Sequence, residues 1–325
     1  MKKLLFTFLL ILLSCNITLP QSLSNDLGQI PYVYAKEYLR PFVTGFDMGL
    51  NANFIGGRDL VSTSKKIPFA RNFYIGFKFG AVLLTDQDKI LNTEFNAPYK
   101  DQNGYIDPNA YYTLYGAPTA FGDKTKAIAN VTYIDYYGTT QFATQEFIGG
   151  VLNTKFVPII LPEIGIGTFF NTDAKIRYIP TITVGDFGSF GYLGFAVRHN
   201  FTGYFKKKLP VNIALQAGYQ NFKVKDANDA NIMATNTFFV NAQATKGFGI
   251  VSVYGGFQYE YSRTEINYTY TDLSGYSVPI SFIMMGDTHY RGVAGANVKL
   301  GPVIFNLDFN IAYNLSVNSG LGVGF

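Results

Sequence analysis

The chain has 325 residues and a formal net charge of +4; 15% of the residues are charged and 48% are hydrophobic. Soluble domains carry about 25% charge, so this balance points away from an ordinary soluble domain, and the scattered basic residues give no support to nucleic-acid binding. The single cysteine, Cys15, and the two histidines, His199 and His289, leave little material for disulfides, thiol chemistry, a metal centre or acid–base catalysis.

The N-terminus reads as an export signal over residues 1–24. Lys2 and Lys3 precede the apolar run Leu4–Leu13, which is short for a spanning helix of roughly 20 residues and suits a signal peptide. Cleavage is expected near Ser22–Ser24. Lipidation at Cys15 is the alternative: Leu12 and Ser14 fit a lipoprotein signal, although Leu13 is bulky. If Cys15 leaves with the signal, the mature chain has no cysteine. Residues 25–42, "NDLGQIPYVYAKEYLRPF", are expected to form a periplasmic segment at the barrel mouth, with one or two helical turns in "VYAKEYL" ending near Pro41.

From residue 43 to the end, apolar and polar residues alternate with period two. In "VIFNLDFNIAY", apolar residues from Val303 to Tyr313 alternate with Asn306, Asp308 and Asn310. "VSVYGGFQYEY", "VNIALQAGY", "AKIRYIPTITV", "FYIGFKFGAVL" and "TGFDMGLNANF" repeat the pattern. The runs are about 10 to 15 residues long, whereas globular strands have about five or six and tilted membrane strands about 9 to 11. No segment offers the roughly 18 uninterrupted apolar residues of a spanning helix, so an exported chain of this kind is expected to cross lipid as a closed antiparallel β-barrel over residues 43–325.

Strands are expected at 43–54, 72–84, 88–96, 160–170, 174–184, 190–205, 211–224, 232–246, 249–268, 287–300, 302–313 and 316–325, which makes twelve. The connections at Asn171–Asp173, Lys206–Pro210, Lys246–Gly249 and Gly301 fall on alternate turns, as short periplasmic turns should. Residues 97–159 then form one long extracellular loop. Two weak patterns inside it, "NVTYIDYY" and "FIGGVLNTKF", would instead add a hairpin and make fourteen strands.

Three stretches, "AKEYLRPFVTGFDMGLN", "LPEIGIGTFFNTDAKIRYIP" and "GYLGFAVRHNF", resemble a Gram-negative outer-membrane barrel family of unknown function. The resemblance spans most of the mature chain and implies a barrel and an outer-membrane address, with no activity attached. The chain also looks distantly similar to the fatty-acid-transporter barrels, although their N-terminal hatch sequence has no match here.

By parity, Asp47, Lys78, Lys175, Arg177, Arg198, Glu260, Arg291, Lys299 and Asp308 are expected to face the lumen. They read either as an internal salt-bridge network or as a cationic lumen that favours anionic or amphipathic solutes. Asp287 and His289 form a conceivable acid–base pair, with a hydrated rim histidine as the plainer reading. His199 is expected to point outward. "STSK" (Ser62–Lys65) matches a serine-acylase tetrapeptide in a loop, and no metal-ligand spacing is present. No cofactor and no enzymatic activity are expected. Tyr and Phe are expected to form the interfacial girdles in the absence of Trp. Leu321, Val323 and Phe325 share one face, so the last strand is expected to close the barrel against residues 43–54, with Phe325 as the signal read by the barrel assembly machinery. The expected function is a channel or transporter for small or hydrophobic solutes in the outer membrane. The alternative is a structural or surface-interaction protein with an occluded lumen.

Overall fold

The computed structural model describes residues 32–56, 73–167, 171–184, 188–206, 209–271 and 277–324. The signal, Cys15, Ser62–Lys65 and Phe325 lie outside these. One helix, α1 (Tyr32–Leu50), precedes fifteen strands: β1 (Phe73–Leu83), β2 (Ile90–Lys100), β3 (Ile106–Pro118), β4 (Ala127–Ile134), β5 (Thr140–Phe147), β6 (Phe156–Gly167), β7 (Thr172–Val184) and β8 (Gly188–Asn200). The rest are β9 (Asn212–Lys225), β10 (Asn231–Phe248), β11 (Val251–Thr271), β12 (Ser277–Met285), β13 (Tyr290–Leu300), β14 (Val303–Ile311) and β15 (Leu315–Gly324).

Ten strands pair antiparallel in a ring, in the order β1-β6-β7-β8-β9-β10-β11-β13-β14-β15, and β15 returns to β1. The alternation gives each strand of the wall two unlike faces. Along β14, Val303, Phe305, Leu307, Phe309 and Ile311 are exposed while Asn306, Asp308 and Asn310 are buried. An apolar outside around a polar inside is the reverse of a soluble sheet and fits a wall set in lipid. Closure leaves no unpaired ladder in the ring.

The ring corrects the expected count of twelve, and its alternative of fourteen. Two of the expected twelve do not belong to it: 43–54 is not a strand, and 88–96 lies in another sheet. The eleventh strand of the main sheet, β12, lies outside the ring and pairs with the far half of β11. Because β13 pairs with the near half of the same strand, β12 and β13 run as one strand interrupted at Gly286–His289. The last strand closes against β1, with Val323 opposite Ile75, and not against 43–54.

The helix explains that last difference. Ala35, Tyr38, Leu39, Phe42, Val43 and Phe46 recur at helical spacing, and all are buried or packed on a core. This period runs straight through Pro41, which sits inside the helix although its ring removes a backbone donor there. Packing along the whole apolar face outweighs that local cost. Gly45 and Gly49 let the helix lie directly on β6: a Cβ on Gly45 would come within 2.6 Å of Val157 Cγ2, and one on Gly49 within 2.4 Å of Ile159 Cγ1.

Residues 97–159 are not one long loop. Strands β2–β5 form a separate four-stranded sheet, in which "NVTYIDYY" supplies β4 and its hairpin partner is β5. One face of this sheet (Leu91, Phe95, Tyr112, Leu114, Ala129, Val131) packs with Tyr34, Tyr38 and Val43 of α1 and with Met233, Ile266, Phe282 and Met284 from the prolonged strands β10–β12. The result is a head at one end of the barrel, with α1 entering between two sheets. Tyr34 and Tyr38 donate to the carbonyls of Ile148 and Gly149 in the insert, at 3.2 and 2.9 Å. Residues 32–42 therefore sit at the insert end, which corrects the expectation that 25–42 and 97–159 lie at opposite ends.

On the outside, Phe195, Tyr219, Phe238 and Tyr261 stand directly opposite one another across β8–β11, and Phe257 and Tyr290 stack beside them at 5.8 Å. Tyr204, Phe205 and Phe248 are exposed at the short-turn end. His199 joins this second group, facing outward by parity; its ring lies 5.6 Å from Tyr204, and its Nδ1 is 2.7 Å from the Thr172 hydroxyl.

Candidate functional site

A helix leaves its last four carbonyls without partners, and α1 ends inside the barrel. The Asp47 and Gly49 carbonyls accept from Asn51 N and Ala52 N at 3.3 and 3.2 Å. The other two are taken by the wall: Arg291 Nη2 donates to Met48 O at 2.6 Å, and Arg177 Nη1 to Leu50 O at 3.4 Å. Cations at a helix C-terminus also complement its dipole. The same side chains follow the chain as it continues. Arg177 donates to Ala52 O at 3.0 Å and Asn53 O at 2.8 Å, and its guanidinium lies 3.5 Å from the centre of the Phe54 ring. Lys175 donates to Phe54 O, Lys78 to Gly56 O at 3.0 Å, and Gln258 to Asn51 O at 3.1 Å.

Side chains complete the seal. Asn51 Oδ1 accepts from Gln220 and Thr237 at 2.7 and 2.8 Å. Asn53, in the left-handed region at φ 61°, donates to Ser319 O at 2.6 Å and accepts from Asn306 at 3.0 Å. Phe54 packs on Phe239, and Ile55 on Tyr254 and Val293. Residues 48–56 therefore plug the lumen, held on several sides by wall side chains. The glycines of β15 make room for this: a Cβ on Gly320 would meet Asn306 Oδ1 at 2.2 Å and Lys78 Cδ at 2.9 Å.

Of the nine residues assigned to the lumen, eight are buried: Asp47, Lys78, Lys175, Arg177, Arg198, Glu260, Arg291 and Asp308. Lys299 is exposed at the end of β13 beside the Gly301 turn, where the strand is still paired with β14. Asp47 reaches the interior from the helix and not from a strand. Parity reasoning overlooked Glu163, the residue that organises the cluster. Its Oε2 accepts from Arg177 Nε at 2.8 Å, and its Oε1 lies 3.7 and 3.9 Å from the ammonium groups of Lys175 and Lys78. It shares the inward parity of Val157, Ile159 and Leu161, and it stands opposite Arg177 in the ladder. Asp173, opposite Arg198 and bonded to it at 2.7 Å, was overlooked in the same way.

With these two added, the described interior holds Lys78, Lys175, Arg177, Arg198 and Arg291 against Asp47, Glu163, Asp173, Glu260 and Asp308, five against five. The formal charges balance, and Glu163, Asp173 and Glu260 are ion-paired with the five cations, which favours the internal salt-bridge reading over the cationic lumen. Asp287 and His289 do not meet as a pair: Asp287 accepts from Arg40 at 3.3 Å and from Thr44 at 2.8 Å, whereas His289 is exposed.

A second feature lies at the insert end. A cleft of about 370 Å³ opens between α1, the root of the insert and the barrel rim, lined by Arg40, Thr44, Asp88, Asn92, Asp287 and Asn314 among others.

Among solved structures the chain is similar to the outer-membrane transporter YddB of Escherichia coli, with 11% identity over 76% of this chain and a TM-score of 0.27; the chain spans 40% of that protein. It is similar to OmpT of Vibrio cholerae at 10% identity, covering 78% of this chain and 98% of that one, with a TM-score of 0.24. It is similar to the toluene transporter TbuX of Ralstonia pickettii at 9% identity, covering 80% and 90%, with a TM-score of 0.23. Comparison with curated proteins finds no sequence match. The model that describes a Family of unknown function (DUF6588) matches residues 1–325, and the chain belongs to that family.

Proposed function

We propose that the protein is an outer-membrane barrel that passes small solutes when its plug shifts. The observation that carries this reading is the construction of residues 48–56: a segment separate from the wall, held by polar hydrogen bonds to Arg177, Arg291, Lys78, Lys175 and Gln258. Were it displaced, it would bare a wall of amides and hydroxyls such as Gln216, Asn241, Gln243 and Ser316. The reading makes the protein a passage and not an enzyme. It takes residues 1–24 as an export signal, the insert end as the cell surface, and outer-membrane lipid and the barrel assembly machinery as partners. Leu321 and Val323 point outward.

The close approach of α1 to β6 supplies the test. A Cβ on Gly49 lies 3.6 Å from Ile159 Cβ, within the range a disulfide needs, about 3.5–4.5 Å. The pair Gly49→Cys with Ile159→Cys should clamp the plug to the wall. In a planar bilayer, ion conductance should appear under reducing conditions and vanish on oxidation. A barrel that stays silent in both states, and in the unsubstituted chain, would leave the occluded surface-interaction protein as the reading. That second reading draws on Tyr136 and Tyr137, which stand largely exposed on the β4–β5 turn, outside the ring.

A further inference from the structure

We propose that the cleft at the insert end is a binding site for a small polyhydroxylated molecule without negative charge, of the sugar or amino-sugar class. This rests on the passage reading above and names the solute that the passage would recognise.

The cleft is built from three parts of the fold: α1 (Arg40, Thr44), the root of the insert (Asp88, Asn92) and two rim segments (Asp287, Asn314). At about 370 Å³ it falls within the range of small-molecule sites, about 300–1,000 Å³. Asn314 points to a ligand. It lines the cleft and is 5% exposed, and its side-chain amide is not among the buried polar atoms sealed from solvent, so it opens to the cleft. An amide offers both a donor and an acceptor, which complements a hydroxyl, itself both donor and acceptor.

The remaining lining fits the same chemistry. Asp88 Oδ2 is occupied by Thr85, at 2.7 Å from its N and 2.8 Å from its hydroxyl, which orients Oδ1 as an acceptor. Gln87 and Asn92 add amides, and Tyr313 adds an aromatic ring at the rim. The one basic group, Arg40, is committed to Asp287 and Glu37. An anion would therefore meet Glu37, Asp88 and Asp287 with no free cation to offset them.

The cleft also touches the plug. Asp287 binds Arg40 and Thr44 of α1, and Thr44 is one helical turn before Met48, whose carbonyl Arg291 holds. It does so at Gly286–His289, where β12 and β13 are interrupted. A hydroxyl group competing for Asp287 would loosen α1 at that point.

The experiment is calorimetric titration of the full chain in detergent with glucose, glucosamine and gluconate, which share a skeleton and differ in charge. Glucose or glucosamine should bind, with gluconate weaker by at least about tenfold, and Asn314→Leu and Asp88→Asn should each weaken binding by about tenfold. Unchanged heat-modifiable gel mobility certifies the fold of each variant. Tightest binding by gluconate, no binding by any probe, or binding indifferent to both substitutions would overturn the proposal. Binding without any effect of oxidation on conductance would sustain this site and remove the gate. Oxidation-sensitive conductance with no binding would do the reverse.

Discussion

Strand β14 and the head sheet β2–β5 share one sequence period and use it in opposite senses. Along β14 the buried positions are Asn306, Asp308 and Asn310, and the exposed ones are apolar. In the head the buried positions are Leu91, Phe95, Tyr112, Leu114 and Val131, while Glu94, Asn96 and Asn130 are exposed. Alternation fixes that a strand has two different faces; it does not fix which face meets a core. That is decided by what surrounds the strand: α1 and its neighbouring sheet for the head, and for the ring a polar plug inside, so that the apolar face turns outward. The helix serves both regions, burying Tyr34 and Tyr38 in the head and presenting its C-terminal carbonyls to the charges of the barrel.

The largest expected break falls inside the barrel. Glu163→Gln leaves Arg177, Lys175 and Lys78 without the carboxylate that lies within 4 Å of all three. Removing one partner of a buried ion pair costs about 3–5 kcal/mol. The loss should appear as a lower midpoint in urea-driven unfolding from lipid vesicles. No head substitution of similar size tests the same thing, because the head core carries no buried charge cluster of this kind among the described residues. A midpoint unchanged by Glu163→Gln would remove the paired network as the feature that holds the plug.

The next effect separates the two senses of alternation directly. Leu307→Arg puts a cation on the outward face of β14, at a cost of about 2–4 kcal/mol if that position lies near the membrane midplane. Asn130→Arg puts the same cation on the exposed face of the head, where surface changes stay within about 0.5 kcal/mol. Folding yield into vesicles should fall for the first and hold for the second. Equal yields would mean that the wall does not face lipid.

Ten of the expected twelve strand positions correspond to the ring, because barrel strands repeat their parity over long runs and turn chemistry marks their ends. Residues 43–54 were misread because Phe46, Met48, Leu50 and Phe54 satisfy period two while Phe42, Phe46 and Leu50 also satisfy the helical period. Pro41 is a helix-ending signal in sequence, which hides the helical period beyond it. Residues 97–159 read as a loop because β4 and β5 have only eight residues each and the pattern at 147–156 spans the connection between β5 and β6. Glu163 and Asp173 were invisible as partners for a different reason. Each lies opposite an arginine through the register of a hairpin, β6–β7 or β7–β8, and that register is set by the turn between the strands, which parity alone does not give. The cleft was out of reach altogether, since its residues come from segments as far apart as Arg40 and Asn314.

The smallest prediction concerns the turns that end each kind of hairpin. Gly138, between β4 and β5, has φ +77°, and Gly301, between β13 and β14, has φ +60°. A Cβ at either would meet nothing within 4 Å, so Gly→Ala there tests backbone conformation alone. A residue with a Cβ in the left-handed region loses about 1 kcal/mol relative to glycine. At Gly138 the strain should remain local, because β5 is an edge strand whose only paired neighbour is β4, and Asp135 already holds the turn through Tyr137 N and Thr139 N at 2.9 Å each. Amide exchange should quicken in β4 and β5 and nowhere in the ring. At Gly301 the hairpin belongs to the closed ring, where every strand is paired on both sides, so the same strain should be shared and exchange should change little at any single strand. If Gly138→Ala instead quickened exchange across β8–β11, the head and the ring would be one cooperative unit, and the contrast between them would end at their surfaces.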